Sequence, residues 1–528
     1  MTTRLSRSTL ITLAIILMGI IGIWHALPLR FVVFDEMFYV GSVLKAISAH
    51  TLIPAPNDVP YGTVTYLANA ILIGGTLLIL LPFFSFSPAL MSTALFSYPE
   101  YISWVPRATS FFVFLALLFL MRRIFTREVE DARSRDFLLL MTFTTMITVL
   151  MLHTGKVWVL STLFVVLSLY HLYRSLEDGV SPRMVQKRIM FSILFSFLAA
   201  ANFPIAVFSL ISIPLIIFFF RKDPAILKRV PLYILGGIIL FGAIFLLNAE
   251  SIKTQIGNVF SNYLLSPEAQ LKNSTLLESI GLYSVKIVLL FPLLIAIFLI
   301  AVKDGIRNKK LFAISLTYFF AYFFTIAITA RWAVDLHWYF RYLFPFGFFI
   351  PLIIASLHVR FRKTWYAVGG LSLIYAVFTL YYLSVPTTWN QARNWVETYA
   401  NEKNIAVINR VDELELPLNK PTALYMKDIE CGARCRTAIE KDTRNDFLPL
   451  VLDSKSSITT RPAEYTKVYV IEEAERGSGD APVISFTNTV KDDGYFSVEY
   501  NAGNYFLLNF FHLKNFGKNI YVYETTGL

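Results

Sequence analysis

For most of its length the chain alternates long apolar runs with short polar connections. Runs of about 17–25 apolar residues are long enough to cross a hydrocarbon core as helices. They recur at residues 9–27, 103–121, 136–152, 157–173, 189–203, 205–220, 231–248, 281–302, 311–330, 341–357 and 364–384. The first follows MTTRLSRS and shows no small-residue cleavage pattern, so it reads as a retained helix rather than a removed leader. A further apolar run at 64–84, VTYLANAILIGGTLLILLPFF, fits either a crossing or a segment along the membrane edge.

Loop charge decides between those two readings. The connections RRIFTREVEDARSR, YRSLEDGVSPRMVQKR, RKDPAILKR, KDGIRNKK and HVRFRK hold most of the loop Lys and Arg. The connections between them, HTGK, NFP and NAESIKTQIGNVFSNYLLSPEAQLKNSTLLESIG, hold few. Basic loops stay in the cytoplasm. Leaving 64–84 out of the count puts every basic loop on the side of the basic N-terminus, and including it puts them all opposite. The run at 64–84 is therefore expected to be re-entrant or juxtamembrane. About eleven crossings remain, with the N-terminus cytoplasmic and the C-terminus outside.

Past Tyr382 the pattern changes to polar sequence with short strand-like runs: IAVINRV, TALYMK, KVYVIEE, YFLLNFF and NIYVYE. A helical pattern, TWNQARNWVETYANEK, precedes them, which predicts a small α/β domain. The expected organisation is a multi-spanning domain at 1–385 and an extracytoplasmic α/β domain at 386–528. The chain carries a net charge of +11, yet acidic side chains outnumber basic ones in the tail. The positive excess thus sits on the cytoplasmic loops, and nothing calls for a nucleic acid partner. Cys431 and Cys435, the two cysteines, stand as CGARC in the tail. An oxidising compartment favours a local disulfide. Free thiols, or a metal site with two further ligands, stay open.

This topology gathers polar groups on the outer edge: Asp35, Glu36, His153, Lys156, Asn202, Arg331, Asp335, His337 and Arg341. Carboxylates at a hydrocarbon boundary are costly and point to function. Asp35 and Glu36 suit a general base or oxygen ligands for a divalent cation. Acidic residues also favour a helix N-terminus, and MFYVGSVLKAISAH after them reads as a helix. Both readings stand on the residues alone. Arg341 suits a phosphate through its planar fork, or an interfacial anchor through its long stem.

The order of these features resembles the GT-C class of membrane glycosyltransferases. The resemblance lies towards the dolichyl-phosphate-mannose protein mannosyltransferases and the lipid A aminoarabinose transferases. It is carried by the apolar first helix, by Asp35-Glu36 opening the first outer loop with Tyr39 behind them, and by IPAPNDVPYGTVTYLANAIL. Further on it is carried by YPEYISWVPRATSFFVFLALLFL, with Arg107 behind Pro106, and by HWYFRYLFPFGFFIPL, with Arg341-Tyr342 ahead of Pro345. It covers about residues 8–385. Two positions depart: Trp158 stands where the family often has Asp, and Asn202 where it often has Lys.

The resemblance implies an α-helical polytopic GT-C-like fold with juxtamembrane helices in the first outer loop. It implies transfer of a sugar from a polyprenyl- or dolichyl-phosphate donor to an acceptor hydroxyl, with inversion. Asp35 would be the base and Glu36 its neighbour. Arg341, Lys156 and Tyr342 would hold the donor phosphate, and His153, Arg331, Asp335, His337 and Tyr61 would line the site. Membrane lipid and an acceptor of unassigned kind complete the partners, in a plasma or inner membrane. Metal ligands are unassigned, and a divalent cation is the one cofactor considered. The sequence shows no phosphate-loop or dinucleotide fingerprint, so a nucleotide-sugar donor is not indicated. The rival is a lipid or glycolipid transporter without transferase activity. Such proteins tend to place charge near the bilayer midplane and to show paired halves. This chain concentrates polar groups at one interface and shows no internal repeat.

Overall fold

The protein is described here from a computed structural model. The described residues are 6–27, 36–48, 62–88, 100–221, 224–246, 275–329, 340–400, 405–411, 450–453, 466–473, 481–488 and 514–525, with single positions between them. Asp35, Tyr61, Arg331, Asp335, His337, Cys431 and Cys435 lie outside them.

Among the described residues the chain is mostly helical. Six helices are long and apolar enough to cross a membrane, or eight when each of two bent pairs counts as one span. Three apolar helices, Arg7–Ile20, Pro204–Phe220 and Arg341–Ala355, are shorter. The differences from the sequence reading have local causes. Helix α1 (Arg7–Ile20) stops well before residue 27. The chain turns there through Gly22 at φ 91° and Ala26 at φ 61°, left-handed backbone that ends a helix. The run expected at 136–152 is two helices meeting at 61°. Thr145 caps the second by accepting from Thr148 N at 3.3 Å. The run expected at 281–302 bends by 90°, where Pro292 lacks the N–H that a continuous helix needs. The segment at 64–84 lies within one apolar stretch, Thr63–Phe84, which is long enough to cross. Length alone admits it as a span; only the charge rule argues otherwise.

The helices that matter below are α2 (Glu36–Ser48), α3 (Thr63–Leu80), α4 (Val105–Glu128), α5 (Ala132–Phe143), α6 (Met146–Leu152), α7 (Val157–Ser175) and α8 (Pro182–Asn202). With them come α9 (Lys309–Thr329), α10 (Phe346–Ala355) and α11 (Thr388–Tyr399). Residues 1–21, 41–70 and 106–380 form one compact unit, and 22–40, 71–105 and 381–528 form a second.

In the first unit α7 and α8 pack closely along small residues. The Ser168 hydroxyl lies 3.0 Å from Ser192 Oγ, 2.7 Å from Ser196 Oγ and 2.9 Å from the Tyr318 hydroxyl of α9. Small polar residues let helix backbones approach and hydrogen-bond where apolar surroundings offer no water.

The second unit is built on a five-stranded sheet of order β2-β1-β3-β5-β4. Its strands are β1 (Ile405–Asn409), β2 (Leu450–Asp453), β3 (Lys467–Glu472), β4 (Ile484–Phe486) and β5 (Ile520–Thr525). β1 pairs in parallel with β2 and β3, and β5 is antiparallel to β3 and β4. Three of the expected strands, at 405–411, 467–473 and 519–524, coincide with β1, β3 and β5. Those at 422–427 and 505–511 lie outside the described residues. Period-two alternation sends Ile405, Val407, Tyr469, Ile471, Ile520 and Val522 to one face, where Trp389, Trp395 and Val396 of α11 cover them. Ala26 and Leu29 join the same core. The Asn390 amide fixes them there by donating to Ala26 O at 3.2 Å and Leu27 O at 3.1 Å. Ala26 and Leu27 are thus held by the first helix of the C-terminal region.

Candidate functional site at the start of α7

Four residues, His153 to Lys156, join α6 to α7, and each is fixed by a different contact. His153 is buried, with Nδ1 at 2.6 Å from Val149 O and Nε2 at 2.7 Å from Ile21 O. Burial holds its imidazole below the usual range, and the charge of Arg107 pushes the same way against the two carbonyls. Both ring nitrogens face backbone carbonyls, of which a neutral imidazole donates to one, so His153 acts as a strut. Thr154 O accepts from the Ser110 hydroxyl of α4 at 2.7 Å. Gly155 meets Pro106 so closely that a Cβ would fall 2.2 Å from the proline Cβ, which only glycine permits. Lys156 occupies the N-cap of α7 without a side-chain cap bond and is 2% exposed. The Pro106–Gly155 contact brings the neighbouring residues Arg107 and Lys156, both buried, into one neighbourhood.

The first turn of α7 is anchored from another side by Asn202, at the end of α8. Its Nδ2 donates to Val157 O at 2.9 Å. Its Oδ1 accepts from Thr65 N at 2.9 Å and from Thr65 Oγ1 at 2.8 Å. The side chain knots α3, α7 and α8 together, and with all these bonds made it is a scaffold. On α3 the Thr109 hydroxyl of α4 donates to Asn69 Oδ1 at 2.5 Å, which ties the same corner once more.

Trp158, one residue into the helix, stands at the centre of an aromatic cluster. Its ring lies edge-on to Phe203 at 4.5 Å and to Tyr342 at 5.0 Å, while Phe203 and Tyr342 stack at 5.9 Å. The backbone of Tyr342 is held by the Tyr322 hydroxyl of α9, which donates to Tyr342 O at 2.6 Å. Arg341, in the 3₁₀ turn Phe340–Leu343 before α10, puts its guanidinium 5.3 Å from the Trp158 centroid and 5.4 Å from that of Tyr342. Cation–π contacts of this kind orient a guanidinium.

Of the residues expected from the sequence, the structure brings Arg341, Tyr342 and Trp158 into direct contact, with Lys156 two residues before Trp158. Glu36 is buried at the first turn of α2, its N–H on Val33 O at 3.3 Å. Among the described residues no group of three or more His, Cys, Asp or Glu is placed to hold a metal ion. Sequence reasoning did not pick out Phe203 as part of the cluster. The signal was an aromatic residue in the short NFP connection, directly after an asparagine that fastens α7.

No family model and no curated protein matches the chain. Among solved structures it is similar to the crystal structure of ArnT from Cupriavidus metallidurans bound to undecaprenyl phosphate. The similarity has 10% sequence identity and a TM-score of 0.49, and it covers 87% of this chain and 92% of that one.

Proposed function

We propose that the chain is a GT-C-type membrane glycosyltransferase that moves a sugar from a polyprenyl-phosphate donor to an acceptor hydroxyl on the extracytoplasmic side. The observation that carries this reading is Arg341, a buried guanidinium seated on two aromatic faces beside the Lys156 start of α7. A planar guanidinium recognises pairs of phosphate oxygens. The first N–H groups of a helix add partial positive charge in the same region. Charge grows on the lipid phosphate as its bond to the sugar breaks, and preorganised positive groups at such a point are among the largest catalytic contributions.

Asp35 is the base in this reading. Its carboxylate takes the acceptor's hydroxyl proton, and the freed oxygen attacks the anomeric carbon opposite the phosphate. The carbon–oxygen bond to the phosphate breaks, its electron pair staying on the phosphate oxygen, so the configuration inverts. Glu36 serves Asp35 by orienting it, by sharing a cation with it or by raising its basicity as a like charge. A divalent cation is compatible with this carboxylate pair as oxygen ligands. Residues 1–385 form the catalytic membrane domain, with the N-terminus cytoplasmic, and 386–528 lie outside.

The test compares wild type with Asp35→Asn in lipid nanodiscs, each supplied with a panel of polyprenyl-phosphate sugars and a membrane extract. Mass spectrometry follows donor loss and product. Turnover by Asp35→Asn is expected to drop about 10²–10⁴-fold at an unchanged melting temperature. Equal turnover removes Asp35 from the role of base. A folded wild type that consumes no donor overturns the transferase reading in favour of a transporter.

A further inference from the structure

The Trp158 indole is more than a platform for Arg341. Trp158 is 2% exposed, and its Nε1 has no hydrogen-bond partner among the described residues. A buried N–H without an acceptor costs about 1–3 kcal/mol, and a structure keeps one where an acceptor arrives from outside. Trp365 offers a contrast. Its Nε1 is unpartnered too, but its ring lies among apolar ones, 4.8 Å from Phe137 and 5.9 Å from Phe361. Trp158 instead carries the Arg341 guanidinium over its ring and follows Lys156 by two residues at an uncapped helix start. The partner that such surroundings attract is an anion with several acceptor oxygens.

We infer that Trp158 is a ligand-binding residue whose indole N–H donates to an oxygen of a phosphate group that Arg341 engages at the same time. Three contacts fix the direction of that N–H. Phe203 and Tyr342 lie edge-on to the ring and set its plane, and Asn202 clamps the Val157 carbonyl one residue before it. Arg341 then supplies charge from above the ring and Trp158 a neutral donor from its edge. Together they select a phosphate over a neutral headgroup. The inference rests on the donor class proposed above, and assigns to it a residue that binds without taking part in proton transfer.

Binding is read directly with undecaprenyl phosphate, added to the detergent-solubilised full chain and followed by thermal stabilisation. Trp158→Phe keeps a six-membered aromatic ring and removes the N–H together with the five-membered part of the indole. Wild type is expected to be stabilised by undecaprenyl phosphate but not by undecaprenol. Trp158→Phe should need about tenfold more lipid for the same shift measured from its own unliganded melting temperature, one hydrogen bond to a charged group. In turnover the donor KM should rise while kcat changes little. Identical titrations for wild type and Trp158→Phe overturn the role of the N–H and leave the donor class standing. If wild type responds equally to undecaprenol, or to neither lipid, the donor reading falls and this inference falls with it. Should Trp158→Phe melt lower without ligand, Trp158→His, which restores a ring N–H, distinguishes the two roles: recovered lipid response supports the hydrogen bond, and none overturns it.

Discussion

At the Ser175 end of α7, two carboxylates are each met by several donors; at the Lys156 end, a guanidinium rests on aromatic faces. Glu128 is buried and accepts from the Tyr173 hydroxyl at 2.8 Å and from Asn308 Nδ2 at 2.8 Å, with Arg127 at 3.3 Å and Arg307 at 3.7 Å. Glu177 meets Arg127 at 2.5 Å, Arg174 at 2.9 Å and Arg188 at 3.4 Å. These contacts tie α4, α7, α8 and the start of α9 into one corner. At the other end Trp158 and Tyr342 position Arg341 through their π-faces. One helix thus carries carboxylates held by several donors at one end and a guanidinium seated on aromatic faces at the other. The difference lies in the type of partner, since basic residues are present at both ends.

Substitutions at the two ends should separate the two roles. Glu128→Ala leaves buried donors without an acceptor and is expected to destabilise the fold by about 3–5 kcal/mol, read as a lower denaturation midpoint in detergent. Turnover per folded molecule at low temperature should stay near wild type. A large loss of turnover with little loss of stability would collapse the distinction. Arg341→Gln is expected to do the reverse. Turnover falls about 10²–10³-fold, the usual effect of removing one donor to a developing oxyanion, with a small change in melting. Unfolding of Arg341→Gln together with full activity of its folded fraction would make that end structural as well.

The smallest effect belongs to a third cluster, in the C-terminal sheet. Glu472 accepts from Arg476 Nε at 2.9 Å and Nη2 at 3.2 Å, and it also pairs with Arg410. The Arg476 hydrogen bond, together with the charges of both arginines, outweighs burial and holds the carboxyl below its ordinary value of 4.5. A carboxylate lowered in the folded state stabilises it fully above the unfolded value, and the contribution disappears as pH falls through the lowered folded one. The melting-temperature gap between wild type and Glu472→Gln is therefore expected to be constant above about pH 5.5 and to shrink below pH 4.5. A gap that widens on acidification would contradict the assignment. This cluster resembles the Ser175 end of α7 in kind, and its partial exposure makes the effect weaker.

Much of the architecture was legible because the bilayer imposes a length on apolar runs. The spans expected at 157–173, 189–203, 311–330 and 364–384 overlap the helices Val157–Ser175, Pro182–Asn202, Lys309–Thr329 and Thr364–Tyr399 over nearly their whole length, since no proline interrupts those apolar runs. The breaks were less visible. Thr144 and Thr145 interrupt 136–152 and Pro292 bends 281–302, yet hydropathy averaged over a window passes across both. Arg341 and Tyr342 stood out by residue type and spacing. Asn202 did not show its scaffold role, because hydrogen bonds to Val157 and Thr65 join positions 45 and 137 residues away.

The sequence by itself determined that this is a multi-spanning helical chain with an α/β tail, and it singled out Asp35, Glu36 and Arg341 by residue type beside apolar runs. Those properties follow from local runs of apolar residues and from the cost of charge beside hydrocarbon. Only the tertiary structure decided that Trp158 lies under Arg341 with its N–H unpartnered among the described residues, that both His153 nitrogens face backbone carbonyls, and that Asn390 holds Ala26 and Leu27. Each of these depends on packing between segments far apart in sequence. There, shape and hydrogen-bond geometry choose the partner, and residue type does not.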